Sequence, residues 1–225
     1  MTDMYKDEDL QHHYDEEYFS GRFRPELWKR RAEFILEKFS PATTLDIGCS
    51  YGELVKFLND FGVDAYGIDG SEYVISQVDD SIKNKVFKVN FNEDKFPFDD
   101  NFFDFVTGYY VVEHIHNFTF FANELKRTLK KNGSAWFLTP DIGDEGRNQY
   151  DVFTNRYDEW KKIFESYGFS VQKFSPHEML VLKGKLKKFQ FYKFPKSIQN
   201  VIKKIAYDYS NKTSMQDTSF LVTKI

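Results

Sequence analysis

Residues 45–58 read LDIGCSYGELVKFL, and two chemistries fit them. Gly48-Cys49-Ser50-Tyr51-Gly52 has the G-x-S-x-G form of a strand-to-helix turn that exposes a serine nucleophile. With Asp46 ahead of them, the same residues also fit a glycine-rich loop whose backbone closes around a nucleotide-like cofactor. In the first case Ser50 attacks a substrate, and Ser50, Asp104 and His114 would have to supply nucleophile, acid and base. In the second case Ser50 is only a small residue in a loop. That case needs an acid about 20 residues further on to take two ribose hydroxyls, and Asp69 stands there.

The elements around the motif bear on the choice. Thr43–Ile47 is a short apolar run ending at a glycine, which predicts a buried strand, and Leu54, Val55, Phe57 and Leu58 then recur at helical spacing. Further strands are predicted at 63–69, 85–90, 103–110 and 134–140. A helix starts near Ser71 as N-cap, with Glu72 in its first turn. The segment 120–131 reads as a helix stopped by Asn132-Gly133. The segment 154–169 reads as a helix capped by Thr154 and ended at Gly168. SVQKFS and TSFLVTKI close the chain as two more strands. Alternating strands and helices imply a parallel sheet covered on both faces, with ligands beyond the carboxyl ends of its strands.

A nucleophile elbow normally follows several strands, one of which supplies an oxyanion loop. Here a polar arm and one helix precede the motif, with no glycine-rich oxyanion segment, and Asp104 falls at the start of a predicted strand. Gly48 and Gly52 instead let a backbone pass close to a ligand. The third glycine of a dinucleotide loop is missing, and a carboxylate two residues before Gly48 suits a ligand carrying an amino group or cation.

Composition narrows the class. A chain of 225 residues with one cysteine makes one domain with appended elements and has no disulfide framework or cysteine-rich metal site. His12, His13, His116 and His177 form no metal-ligand spacing with it, so no metal is expected. There is no run of roughly 18 apolar residues and no charged n-region followed by an apolar stretch, so the expectation is a cytoplasmic protein. The net charge of −4 hides an asymmetry. Residues 1–20 are acidic, whereas 179–207 carry no acid and interleave Lys183, Lys185, Lys187, Lys188, Lys193, Lys196, Lys203 and Lys204 with aromatic residues.

With these pieces in order, the chain resembles the class I S-adenosylmethionine (SAM)-dependent methyltransferases. LDIGCSYGELVKFL is similar to their first motif and YGIDGSEYVI to their second. VNFNEDKFPFDDNFFDFVTGYYVVEHI is similar to the third and fourth, and FANELKRTLKKNGSAWFLTPD to the segment through the fifth strand. The resemblance runs from about Thr43 to Phe169. It implies an α/β, Rossmann-like, doubly wound sheet of seven mostly parallel strands, the last reversed, with a helical, basic insertion before it. Residues 1–40 would be an arm and helix covering the site, 41–176 with 217–225 the SAM-binding core, and 177–216 an acceptor lid.

The resemblance also implies roles. Gly48, Cys49 and Gly52 would wrap the methionine part of SAM, and Asp46 would anchor the loop or the amino group. Asp69, with Gly70 beside it, would hold the ribose. Asn90 stands where the family usually has aspartate and would accept from the adenine amine, with Phe91 packed on the adenine face. Gly108 and Tyr109, just past the fourth strand, would meet the methionine moiety, and Tyr14 would reach the SAM carboxylate. His114 is the candidate base for a hydroxyl acceptor, or else a wall of the pocket. Asp141 and Asp144 would bind substrate or a divalent metal, or cap the next turn.

The acceptor is read from what surrounds the core. The fourth strand exits as Gly108-Tyr109-Tyr110-Val111, without the Asn/Asp-Pro-Pro-Tyr of enzymes that methylate nucleobase amines. The expectation is O-methylation of a small molecule, a sugar or glycan precursor, with no nucleic-acid partner. Residues 183–204 would cover the acceptor or touch an anionic membrane surface. The competing classes are an RNA or protein methyltransferase and a SAM-binding partner subunit without catalysis of its own.

Overall fold

In the computed structural model, residues 19, 24–140, 155–174, 195 and 217–225 are described. In chain order they form α1 (Pro25–Phe39), β1 (Thr43–Ile47), α2 (Glu53–Asp60), β2 (Asp64–Asp69), α3 (Glu72–Ser76), β3 (Val86–Lys88), β4 (Phe103–Tyr109), α4 (Phe118–Thr128), β5 (Leu129–Pro140), α5 (Tyr157–Ser166), β6 (Phe169–Lys173) and β7 (Asp217–Lys224). Tight 3-10 turns cover Asp80–Lys85 and Val112–His114. One seven-stranded sheet results, in the order β3-β2-β1-β4-β5-β7-β6. β7 runs antiparallel to β5 and β6, and the pairings of β1 with β2 and β4, of β2 with β3 and of β4 with β5 are parallel. This is the Rossmann-like sheet with a reversed last strand that the motifs imply.

Strand alternation divides the core. Thr44 and Asp46 point to one face, and Leu45 and Ile47 to the other. On the first face, Ala32, Phe34 and Ile35 of α1 pack with Leu54, Val55 and Leu58 of α2 against Phe105, Tyr109, Trp136 and Leu138. On the second, Phe121 and Leu125 of α4 and Trp160 and Phe164 of α5 pack on Phe137, Phe169 and Phe220. α1 therefore belongs to the same core as the sheet. Pro25 opens it at a position where no backbone N–H is needed.

Three boundaries depart from the sequence reading. α4 stops at Thr128, not at Asn132-Gly133. Leu129 is fully buried and pairs with Phe103, and the register then jumps to Phe105 with Ser134. Asn132, at φ 64°, and Gly133 thus make a bulge inside β5, because strand pairing outweighs the helical propensity of Leu-Lys-Lys. α5 starts at Tyr157, where the Glu159 carboxylate accepts from the Arg156 N–H at 2.8 Å; Thr154 lies outside the described residues. β3 ends at Lys88, since the Asn90 N–H turns to the Asp94 carboxylate at 2.8 Å. Ser71 caps α3 as expected, and Gly168 follows α5 at φ 81°.

One side-chain network pins the connection between β3 and β4. Arg127 donates to the Phe96 and Phe98 carbonyls at 2.9 and 2.7 Å, to Glu124 at 2.7 Å and to Asp100 at 2.9 Å. Glu124 also accepts from the Phe96 N–H at 2.9 Å. Tyr14, Asp141, Asp144, His12, His13, His177, the lysines from 183 to 204 and all of 177–216 except Pro195 lie outside the described residues.

Candidate active site

The ends of β1, β2 and β4 are level, because Ile47 pairs with Ile68 on one side and Gly108 on the other. The segments that leave these strands, beginning at Gly48, Gly70 and Tyr110, therefore meet at one edge. The first is a tight loop. The Gly48 and Cys49 N–H groups both donate to the Ile68 carbonyl, at 2.8 and 3.2 Å, and Gly52 N–H donates to the Cys49 carbonyl at 2.9 Å. Gly48 and Gly52 sit at φ 71° and 74°, a conformation that costs a residue with a Cβ.

Ser50 contributes its backbone. At φ 50°, its N–H donates to Asp69 Oδ2 at 2.9 Å. Asp104 lies at the other end of the sheet, accepting from the Ala42 and Thr43 N–H groups at 3.1 and 2.9 Å and from Lys130 at 2.8 Å. The Ser50–Asp104–His114 arrangement is therefore not assembled. Cys49 is buried with its Sγ against Gly67, and burial pushes its thiol well above the ordinary range.

Asp69 ends β2 and bridges two loops. Besides Ser50, it accepts from the Ser71 N–H at 2.9 Å through Oδ1. Burial raises its carboxyl, while these hydrogen bonds oppose the shift. A carboxylate has about four acceptor positions, so the three amide donors, Ser50, Ser71 and Gly70, leave room for one further hydrogen bond. Beside it, the space a Cβ would take at Gly70 is open except for the Val89 carbonyl at 3.8 Å.

Asp46 lies below the loop, 2% exposed, and accepts from the Thr107 hydroxyl at 2.7 Å. Burial raises its carboxyl to about 7, against the pull of the Thr107 hydrogen bond and the Arg31 charge. Gly108 and Tyr109 are the last two residues of β4, not residues past it. Gly108 faces Phe137 so closely that a Cβ would stand 2.6 Å from its ring. Tyr109 is buried on the opposite face, its ring 5.0 Å from Trp136 and 5.5 Å from Trp28, and burial pushes its hydroxyl well above the ordinary range.

Asn90 and Phe91 follow β3. The Asn90 side-chain oxygen accepts from the Asn92 N–H at 3.1 Å and its amide donates to Glu93 at 3.0 Å, so it shapes its own turn. Phe91 is half-buried, edge-on to Phe96. His114 ends the turn after β4, with its side chain 17% exposed and Nε2 4.0 Å from Glu113 Oε1. Its N–H donates to the Val111 carbonyl at 3.0 Å, and Val111 packs on Gly48, where a Cβ would be only 3.2 Å away. Among the described residues no group of three or more His, Cys, Asp and Glu side chains could hold a metal ion.

Two participants at this edge were not read from the sequence. Arg31, buried on α1, lays its guanidinium 4.1 Å from the Tyr109 ring centre and 4.6 Å from Trp28. Its spacing with Trp28, Ala32 and Ile35 places a charge on an apolar stripe, a legible signal. Tyr110, at φ 56°, donates its hydroxyl to Asp217 at 2.6 Å, across the end of β5. No local pattern announces that pair. Phe19 lies 5.8 Å from Tyr51 and 6.4 Å from Tyr73, so the chain ahead of α1 approaches the loop.

These residues fit the cofactor that the motifs imply. The loop has the two left-handed glycines that a close ligand requires, Asp69 keeps an acceptor position for a ribose hydroxyl, and the space beside Gly70 is open. Asp46 and Arg31 put an acid and a base near the loop, and Arg31 Nε and Tyr109 Oη are buried without a hydrogen-bond partner among the described residues.

A family profile described as "Methyltransferase domain" matches residues 20–178. A ubiquinone biosynthesis O-methyltransferase of Pelagibacter ubique (strain HTCC1062) is 31% identical over 97 residues, which cover 42% of this chain and 40% of that protein. The match thus spans less than half the length of that relative. Among solved structures, a SAM-dependent methyltransferase from Archaeoglobus fulgidus superposes with a TM-score of 0.60 at 18% identity, over 92% of this chain and 97% of that one. Haemonchus contortus phosphoethanolamine N-methyltransferase 2, in complex with phosphomonomethylethanolamine and S-adenosylhomocysteine, gives 0.60 at 15% identity, over 98% of this chain and 59% of that one. At these identities the two structures share the fold.

Proposed function

Because this chain belongs to the class I SAM-dependent methyltransferase family, we propose that it transfers a methyl group to a hydroxyl of a small molecule, a sugar or glycan precursor. When bound, SAM supplies a methyl group made electrophilic by its sulfonium. The chain has to hold the cofactor, align the acceptor oxygen, exclude water and take one proton. The Gly48–Gly52 loop wraps the methionine part, with Gly108 and Tyr109 beside it. Asp69 takes a ribose hydroxyl next to Gly70, and Asn90 and Phe91 flank the adenine.

The observation that carries the hydroxyl reading is the seat of His114. Its turn is clamped to the cofactor loop through Val111 and Gly48, so the imidazole stays beside the methionine end while remaining partly open to an acceptor. Glu113 Oε1 lies 4.0 Å from the imidazole Nε2. The O-methyltransferase name of the Pelagibacter ubique relative supports an oxygen acceptor.

The test pairs two acceptor panels, nucleotide sugars and catechols, with S-adenosylhomocysteine release as the readout. His114→Ala should lower turnover of the accepted substrate by roughly 100-fold or more while calorimetric affinity for S-adenosylhomocysteine stays near that of the wild type. Loss of cofactor affinity with unchanged turnover at saturation would make His114 a pocket wall and remove the base.

A further inference from the structure

Tyr110 is the residue at which the chain turns out of β4. It is bulky, yet its φ is 56°, a left-handed conformation that such a residue holds only where its surroundings fix it. Two hydrogen bonds do so. Its N–H donates to the Leu138 carbonyl at 2.7 Å, and its hydroxyl donates to Asp217 Oδ2 at 2.6 Å. Asp217 opens β7 and stands opposite Pro140, the last residue of β5. The side chain thus reaches across the end of β5, and the residue is still 39% exposed. A tyrosine placed for packing would bury its ring, as Tyr109 does at 6% exposure. Tyr110 instead is strained, tied at both ends and open to a ligand.

Along the sheet the order is β2, β1, β4, β5, β7. Asp69 ends β2, the cofactor loop follows β1, and Val111, next to Tyr110, packs on Gly48 of that loop. A cofactor held there runs from β2 toward β4, ribose first and methionine part last. The ends of β5 and β7 continue past its reactive end, where an acceptor has to stand for in-line transfer. Asp217 sets the chemistry of the phenol at this place. Because the phenol proton goes to the carboxylate, the phenol oxygen can only accept from a ligand, and the carboxylate itself is acceptor-only. Such a surface suits a ligand that brings hydrogen-bond donors and disfavours carboxylates and phosphates. Tyr110 is one residue from the wall of the methionine site, so a donor that it binds lies close to the reacting oxygen. We propose that Tyr110 determines acceptor specificity: it accepts a hydrogen bond from a second hydroxyl next to the one that is methylated, so the acceptor is a vicinal diol. Asp217 is a positioning residue that fixes the ring and the direction of its proton. This rests on the hydroxyl reading of the function.

The experiment uses matched acceptors: a nucleotide sugar with its analogue lacking one hydroxyl of the diol, and catechol with phenol. S-adenosylhomocysteine release is the readout. In the set that it accepts, the wild type should favour the diol in kcat/KM. Tyr110→Phe keeps the ring and removes the accepting oxygen. It should reduce that preference by about 3- to 10-fold, the range for one uncharged hydrogen bond, mainly through KM for the diol. Its calorimetric affinity for S-adenosylhomocysteine should stay near that of the wild type, because the cofactor loop is untouched. Asp217→Asn keeps a side-chain carbonyl for the phenol, but its amide can also donate to the phenol oxygen, so it should lose part of the preference. A wild type without a diol preference, a preference that survives Tyr110→Phe, or a loss shared equally by diol and single-hydroxyl acceptors would overturn the assignment and leave hydroxyl methylation standing. A preference untouched by Asp217→Asn would overturn the part given to Asp217. A wild type that methylates no hydroxyl in either set would sink the hydroxyl reading and this inference with it.

Discussion

Replacing Asp46 with asparagine should make the ligand-free protein more stable at neutral pH and a poorer cofactor binder. The carboxyl is 2% exposed, and burial raises it from the usual aspartate value of 3.8 to about 7. The folded chain thus keeps this proton up to about pH 7, whereas the unfolded chain releases it near 3.8. The stability the protonated group provides is complete below 3.8 and is lost as pH rises to about 7. At about 1.4 kcal/mol per pH unit, the gap is worth roughly 4 kcal/mol. Asparagine mimics the protonated form and can still accept from the Thr107 hydroxyl, so Asp46→Asn escapes the loss. Urea melts of both proteins between pH 5 and 8 should show the stability difference growing by about 1.4 kcal/mol per pH unit up to about pH 7 and levelling off above it. Burial also raises Asp69 and Glu53, but that contribution is common to both proteins and largely cancels in the difference. A difference that stays flat with pH, or an asparagine variant less stable than wild type at pH 8, would refute the reasoning. Either result would mean that Asp46 is ionised in the folded protein well below neutrality.

Asp69→Ala should cost about 1.5 to 3 kcal/mol of SAM affinity by calorimetry, whereas Ser50→Ala should leave SAM affinity and turnover close to wild type, since Ser50 acts through its N–H. Arg127→Met removes donors to Glu124, Asp100 and the Phe96 and Phe98 carbonyls and leaves Glu124 without its cation. It should destabilise the protein by about 3 kcal/mol, visible as a lower urea midpoint without a change in the cofactor's binding enthalpy.

Much of the architecture could be read along the chain, because it depends on contacts between near neighbours. The apolar run before Gly48, the helical spacing from Leu54 to Leu58, the Ser71 cap and Gly168 each follow from local rules of period, capping and backbone freedom. The loop and Asp69 were legible for the same reason, since a glycine pair at a strand end and an acid closing the next strand are local patterns. Tertiary structure decided what depends on partners far along the chain. Leu129 leaves the helix because Phe103 offers a strand partner, and Asn132-Gly133 becomes a bulge. Asp46 titrates near neutrality because α1 and β4 close over it, a burial that no neighbouring residue encodes. Tyr110 finds Asp217 more than 100 positions away, and Arg31 meets Tyr109 because α1 lies across the ends of β1 and β4. Local rules place a residue on an element. Which charges that element buries, and against what, depends on how the finished sheet brings distant segments together.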